Sequence, residues 1–372
     1  MKYYIIAGEA SGDLHGANLI KQLKLKDPNA EFRCWGGDLM QAQGAEVVKH
    51  YRDLAFMGFI EVVMNLKTIL SNIKVCKIDI ANYQPDAVIL IDYPGFNLRI
   101  AEFVKGLGIK VFYYISPQIW AWKQNRVHKI KKVVDKMFVI LPFEKDFYKK
   151  FDMEVDFVGH PLIDAIAAER KVQPTFEEFT SANNLQNKPI IALLPGSRKQ
   201  EISAMLPIML SSINDFPDYQ FVVAGAPSQE FALYEPFLKA GNADVIFGKT
   251  YDLLQQSEAA LVTSGTATLE TALFKVPEVV CYKGSAISYA IAKQLIKVKY
   301  ISLVNLIMDR EVVKELIQGE LNTVMLKDEL SKVLKGGEKR DKLQADYDEL
   351  IQKLGGAGAS EKTAQLMIDN LT

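Results

Sequence analysis

Residues 85–97 read Pro85-Asp86-Ala87-Val88-Ile89-Leu90-Ile91-Asp92-Tyr93-Pro94-Gly95-Phe96-Asn97. Five consecutive apolar residues between two aspartates make a run of strand length with no polar face. Such a run suits a parallel strand covered by helices on both sides. Asp86 begins that strand and Asp92 ends it. Asp92 therefore falls on the carboxyl side, where ligands bind in sheets of this kind. A carboxylate there can orient a sugar or act as a base; a local turn with Pro94 suits the same residues.

Outward from this run, short apolar stretches alternate with longer amphipathic ones, the pattern of a parallel sheet under helices. Tyr3–Ala7, Val111–Ile115, Lys136–Leu141 and Val155–Val158 read as further strands, and Leu14–Leu25 as a helix. A polar seam at Ala165–Lys188 follows, and the alternation then repeats in Ile190–Leu194, Gln220–Ala224, Ala259–Val262 and Glu278–Tyr282. The simplest architecture is α/β, with two Rossmann-like doubly wound domains facing a cleft. The expected divisions are a first domain at 1–170, a linker at 171–188, a second domain at 189–345 and C-terminal helices at 346–372 that pack on the first domain or on a partner subunit. In the tail, Leu343, Tyr347, Leu350, Ile351 and Leu354 share one helical face, Gly355-Gly356-Ala357-Gly358 breaks the helix, and Ser360 is placed to cap the next.

Composition narrows the classes. Of 372 residues, 49% are hydrophobic and 24% charged, the usage of a soluble globular protein. Balanced charge (44 Lys+Arg against 45 Asp+Glu, net -1) argues against broad capture of nucleic acid. Cys34, Cys76 and Cys281 form no metal-ligand or CxxC spacing, which favours a reducing cytoplasm. No signal-peptide pattern opens the chain. No uncharged apolar run approaches the roughly 20 residues of a spanning helix, so membrane contact is expected to be peripheral. His15, His50, His128 and His160 show no HxxxH or HxH spacing, and Asp346-Tyr347-Asp348 lies on the tail helix. Neither a metal nor a cofactor is expected.

Three turns follow strands. Gly8-Glu9-Ala10-Ser11-Gly12-Asp13-Leu14-His15-Gly16 is glycine-rich, but Glu9 and Asp13 would repel a phosphate. It suits sugar hydroxyls or proton abstraction; a tight strand–helix turn with Asp as a cap fits it equally. Leu194-Pro195-Gly196-Ser197-Arg198-Lys199-Gln200-Glu201 has the opposite character, with Gly196 for close approach and Arg198 as a planar donor to a diphosphate. Arg198 can instead form a surface ion pair with Glu201. Thr263-Ser264-Gly265-Thr266-Ala267-Thr268-Leu269-Glu270 opens a helix whose backbone N–H groups suit a pyrophosphate, with Glu270 placed for ribose hydroxyls. A capping-box reading competes there.

Two stretches point to lipid. Trp120 and Trp122 in Ser116-Pro117-Gln118-Ile119-Trp120-Ala121-Trp122-Lys123 lead into Lys123, Arg126, Lys129, Lys131 and Lys132. That pattern is an anchor on anionic lipid, or core tryptophans beside a solvated basic face. Leu54–Ile73 reads as a helix: Phe56 and Met57 lead into Phe59, Val63, Leu66 and Leu70, a broad apolar face for core packing, acyl chains or a membrane surface.

Taken together, the chain resembles the lipid A disaccharide synthase family. The stretches that carry the resemblance are Gly8-Glu9-Ala10-Ser11-Gly12-Asp13, Ser116-Pro117-Gln118-Ile119-Trp120-Ala121-Trp122, Phe157-Val158-Gly159-His160-Pro161-Leu162, Leu194-Pro195-Gly196-Ser197-Arg198 and Ser264-Gly265-Thr266-Ala267-Thr268-Leu269-Glu270. They occur in the family's order across nearly the whole chain. The resemblance implies the GT-B arrangement and an inverting, metal-independent glycosyl transfer. The donor would be UDP-2,3-diacylglucosamine and the acceptor 2,3-diacylglucosamine 1-phosphate (lipid X). The products would be UDP and a β-1,6-linked tetraacyl disaccharide 1-phosphate, made at the cytoplasmic face of a Gram-negative inner membrane. Many members carry Asp where this chain has Gly95, which moves the expected base chemistry onto Asp92, Asp13 and Glu9, with Ser11 and His15 beside them. Gly196, Ser197, Arg198, Glu201, Ser264, Gly265, Thr266 and Glu270 fall to UDP, joined by Asn305, Glu315 and Gln318, which match family positions near the nucleotide. The tail helix and the resemblance point to a homodimer. A UDP-N-acetylglucosamine 2-epimerase, which needs no acceptor, and a non-enzymatic lipid adaptor, which needs neither Arg198 nor Glu270, stay as alternatives.

Overall fold

In a computed structural model of the chain, residues 1–54, 66–169, 174–241, 243–285, 289 and 298–372 are described. They fall into two compact units: Met1–Asp164 with Leu354–Thr372, and Ala165–Lys353.

Among the described residues the first unit holds seven strands: β1 (Lys2–Ala7), β2 (Glu31–Gly36), β3 (Glu46–His50), β4 (Ala87–Ile91), β5 (Lys110–Tyr114), β6 (Lys136–Val139) and β7 (Asp156–Phe157). They pair in parallel in the order β3-β2-β1-β4-β5-β6-β7. Tyr3 lies beside Ala87 and Ala7 beside Ile91, so β1 and β4 end level with one another. Both are buried along almost their whole length, as strands with helices on each face must be.

The second unit repeats the plan with β8 (Ile190–Leu194), β9 (Gln220–Gly225), β10 (Asp244–Phe247), β11 (Ser257–Thr263), β12 (Glu278–Tyr282) and β13 (Lys314–Ile317). Their order is β10-β9-β8-β11-β12-β13. Val262 pairs with Leu194, which brings the turns after β8 and β11 side by side. Each unit is thus a doubly wound sheet that reverses its winding once, at β1/β4 and at β8/β11.

Four of these strands do not show in the apolar pattern: β2, β3, β10 and β13. Three are edge strands with one flank unpaired, where polar residues are tolerated. The fourth, β2, carries Arg33, whose guanidinium forks onto Asp79 at 2.8 and 2.9 Å. That pairing lets a charged residue sit in a mostly buried strand.

The tail departs from its expected boundaries. Helix Arg340–Lys353 belongs to the second unit, with Leu343, Tyr347 and Leu350 buried against its helices. Helix Ala359–Asp369 belongs to the first unit and packs along helix Ala10–Lys26. Both apolar faces are therefore covered by this chain, which removes the tail as an argument for a partner subunit. Residues 171–188, expected as a linker, include helix Phe176–Ala182, closed by a capping box between Thr175 and Glu178. Ser360 is not the cap of the last helix. Asp164 does that work, its carboxylate accepting from Gly358 N at 2.6 Å and Ser360 N at 3.1 Å. Asp164→Ala should lower stability by about 1–2 kcal/mol in urea titration, the size of a lost N-cap. An unchanged midpoint would show that water replaces it.

Candidate active site

Turns at the carboxyl ends of β1 and β4 build the first polar cluster. Gly8 follows β1, and Tyr93 packs so closely on it that a Cβ at position 8 would lie 2.5 Å from the Tyr93 ring. Asp92 and Tyr93 both adopt left-handed backbone, with φ of +43° and +47°. The Asp92 carbonyl accepts from Tyr113 Oη at 2.5 Å and from Asn97 Nδ2 at 2.8 Å. Its carboxyl opens to solvent. Crowding by protein, then the negative charge of Glu9, push it up to about 7. Water offsets part of the crowding at an exposed group, whereas the repulsion from Glu9 comes from two carboxylates sharing one sheet edge. Glu9 and Ser11 are both exposed at this edge.

Two members of the expected set leave it. Asp13 is buried, and its carboxylate accepts from Gly37 N at 2.8 Å and from Leu39 N and Met40 N at 3.1 Å. It caps helix Asp38–Ala42 and cannot serve as a base without giving up those amides. His15 is also buried, and burial lowers it to about 4. It acts electrostatically on His160, itself lowered to about 3, first by burial and then by His15. Both are neutral core histidines, and a substrate does not reach them. Gly95 lies exposed in the first turn of helix Pro94–Gly106, and a Cβ there would meet nothing within 4 Å.

Of the lipid candidates, Trp120 is buried and donates from Nε1 to Glu144 Oε1 at 3.2 Å, so it is core and not an anchor. Burial pushes Glu144 up to about 7 against the pull of Leu141 N, Trp120 and Ile140 N. Trp122 is exposed, with Lys123 Nζ 4.1 Å and the Arg126 guanidinium 5.8 Å from its ring centre. Phe56, Met57, Phe59 and Val63 lie outside the described residues, as does the side chain of Leu66. Leu70 is exposed on helix Leu66–Tyr83, together with Val75 and Ile78.

A second cluster lies at β8/β11. Gly196 has φ +106°, a conformation that favours glycine. The Glu201 carboxylate fills the concavity above it, accepting from Ser197 N at 3.2 Å and Arg198 N at 3.3 Å. Arg198 Nη1 pairs with the same carboxylate at 3.0 Å. Glu201 is thus an anion seated in the amide nest, not a ligand pointing outward. The seat consists of two N–H groups and a guanidinium around one carboxylate. Beside it, Gly265 precedes helix Thr266–Leu273, Thr266 is exposed, and Ser264 Oγ donates to Ile301 O at 2.9 Å. Glu270 is half-buried, accepts from Tyr251 Oη at 3.1 Å, and is raised by burial.

Asn305 and Glu315 are buried and committed to the chain. Glu315 accepts from Ser302 N and Asn305 Nδ2 at 2.9 Å and from Ile301 N at 3.1 Å, while Asn305 Oδ1 accepts from Val312 N at 2.7 Å. Their bonded polar atoms are turned toward the chain. They fix the Ile301 carbonyl that holds Ser264. Gln318 follows β13 with φ +55°, and its Nε2 has no partner among the described residues.

A family model described as lipid-A-disaccharide synthetase matches residues 3–369. The chain belongs to that family. The lipid-A-disaccharide synthase of Syntrophus aciditrophicus is 40% identical over 371 residues, covering 98% of this chain and 96% of the relative. That of Geobacter metallireducens is 39% identical, covering 99% and 96%. Among solved structures, the UDP-GlcNAc 2-epimerase from Neisseria meningitidis bound to UDP-GlcNAc superposes with TM-score 0.69 at 14% identity, covering both chains fully. A glycosyltransferase of kitacinnamycin gives 0.66 at 10%, covering 100% of this chain and 99% of that one. At those identities the likeness is one of fold.

Within this lipid-A-disaccharide synthetase family member, the first cluster keeps Glu9, Ser11 and Asp92 and releases Asp13 and His15. Gly196, Ser197 and Arg198 follow β8, Ser264, Gly265 and Thr266 follow β11 beside them with Glu270 a turn further on, and Gln318 follows β13. Tyr113 and Glu144 escape sequence reading: the one reads as an apolar strand residue, and the other is a lone acid after a strand. Asp13→Ala should unfold about 2–3 kcal/mol earlier in urea, since it orphans three amides. Full stability with lost activity would return Asp13 to the chemistry.

Proposed function

We propose that this chain transfers 2,3-diacylglucosamine from its UDP ester to the 6-hydroxyl of 2,3-diacylglucosamine 1-phosphate, releasing UDP and forming the β-1,6 disaccharide with inversion. Family membership carries the reaction class, a glycosyltransferase of lipid A disaccharide synthesis. The observation that carries the division of roles is the place of Asp92, directly after β4 at the first unit's switch point and close enough to Glu9 to feel its charge. In its ionised form Asp92 takes the proton of the acceptor hydroxyl as that oxygen attacks the anomeric carbon. A base matched to the working pH is most effective. The proton then passes from Asp92 to water, to which the side chain is open.

The leaving UDP gathers negative charge on its diphosphate. The amides of Ser197 and Arg198 and the Arg198 guanidinium meet that charge once the diphosphate displaces the Glu201 carboxylate from them, together with the start of helix Thr266–Leu273. Glu270 and Gln318 complete the nucleotide edge with an acceptor and a donor. The solved 2-epimerases share this fold, but they offer no reason to set aside the transferase reading. Incubation with UDP-diacylglucosamine and lipid X should yield disaccharide and free UDP. Asp92→Asn should cut the rate by about 10²–10⁴-fold. In the wild type the rate should fall as pH drops below about 7, because the protonated carboxyl cannot accept. A full rate for Asp92→Asn would remove it as the base.

The substrates also require a lipid surface. No helix among the described residues is long and apolar enough to cross a membrane. On helix Leu66–Tyr83, Leu70, Val75 and Ile78 are each about half exposed, at 53%, 49% and 52%, with exposed Lys67 and Lys74 beside them. Apolar side chains flanked by lysines suit the interface of an anionic bilayer. Trp122 with Lys123 and Arg126 offers the same chemistry. We assign both surfaces to peripheral membrane contact. Changing Leu70, Val75 and Ile78 to Ser should reduce sedimentation with anionic vesicles while the melting curve is preserved. Unchanged sedimentation would exclude this face.

A further inference from the structure

We propose that Tyr113 and Asn97 are positioning residues that hold Asp92 in its reactive orientation. The inference rests on the reading of Asp92 as the base. Its starting point is backbone strain. Two consecutive non-glycine residues, Asp92 and Tyr93, are left-handed, and Ile115 beside them has φ +63°. Left-handed backbone is unfavourable for an L-residue, and a β-branched residue there is rarer still. Such conformations persist only where surrounding contacts over-determine them.

The contacts that do so converge on one atom. Tyr113 Oη and Asn97 Nδ2 both donate to the Asp92 carbonyl, at 2.5 and 2.8 Å. Asn97 Nδ2 also reaches Ile91 O at 3.2 Å, and Asn97 N donates to Tyr93 O at 3.0 Å. The Tyr93 ring closes the turn against Gly8. Tyr113 and Asn97 are completely buried. Asn97 Oδ1 has no partner among the described residues, so the amide faces the carbonyls with its nitrogen. Leaving a buried amide oxygen unpaired is unfavourable. A turn that merely linked a strand to a helix would gain by replacing Asn97 with an apolar residue. The polar pair is explained by what it fixes: the Cα–Cβ direction of Asp92, and hence both its reach and its proximity to Glu9. Relaxation of the turn to right-handed backbone would swing the carboxyl off the edge.

Tyr113→Phe removes one donor without opening a cavity. We expect kcat to fall roughly tenfold to a hundredfold, the scale of a small misplacement of a reacting group. KM for the UDP-sugar should be unchanged, the acid limb of the pH–rate profile should move, and the melting curve should stay cooperative. Asn97→Ser, which keeps a shorter donor, gives a second reading if Tyr113→Phe does not fold. The decisive measurement is the double variant Tyr113→Phe/Asp92→Asn. If Tyr113 acts through Asp92, the double variant should be no slower than Asp92→Asn alone. A further drop, or a wild-type kcat and pH profile for Tyr113→Phe beside an inactive Asp92→Asn, overturns the positioning role. An Asp92→Asn variant that keeps its rate defeats the base assignment instead.

Discussion

In a parallel strand covered on both faces an unpaired polar group is costly, and this constraint arranges most of the molecule. β4 is apolar from Ala87 to Ile91 and buried throughout. Its first polar residue on the carboxyl side is Asp92. β8 behaves in the same way, ending at Leu194 before the Pro195–Arg198 turn. Chemistry collects at strand ends because burying it along a strand would cost several kcal/mol per unpaired group. The doubly wound order then selects which ends matter. At β1/β4 and at β8/β11 the connections diverge, leaving two turns adjacent and uncovered by a crossover helix.

That logic also explains how much could be read from the amino acids. Strands buried on both faces announce themselves as apolar runs, so β1, β4, β5, β8 and β12 are legible along with the turns that follow them. Edge strands such as β3 and β13 mix charge into short segments and carry no such signal. Turn residues are legible by type and not by target. Asp13 and Asp92 lie in similar glycine-containing loops, yet one carboxylate faces three amides while the other faces water. Nothing local separates them, because the amides of Gly37, Leu39 and Met40 arrive from a segment more than twenty residues away. Asn305 and Glu315 likewise take partners, at Val312 N, Ser302 N and Ile301 N, that their immediate neighbours do not announce. Trp120 and Trp122 differ only in which side of one helical turn meets Glu144.

The two edges handle negative charge in opposite ways. At β8/β11 the Glu201 carboxylate is seated on two amides and a guanidinium. At β1/β4 the Asp92 carboxyl is crowded by protein and shares its edge with the Glu9 carboxylate, so its proton is retained to a higher pH. An edge that stabilises anions suits a departing diphosphate; an edge that makes a carboxylate reluctant to ionise suits a base that must accept a proton.

Gly95 sharpens that contrast. A side chain there would meet no atom within 4 Å, so packing does not demand glycine. A carboxylate at that position would sit in the first turn of helix Pro94–Gly106, where the helix dipole favours negative charge. Its absence therefore leaves the edge with fewer carboxylates than the fold could carry. In the proposed mechanism the proton-accepting task then falls on Asp92, whose carboxyl is raised by burial and then by Glu9 and whose backbone is held by two buried side chains. A single base has no substitute if it is misaligned, and this is the circumstance in which a strained turn and an unsatisfied Asn97 oxygen are worth keeping.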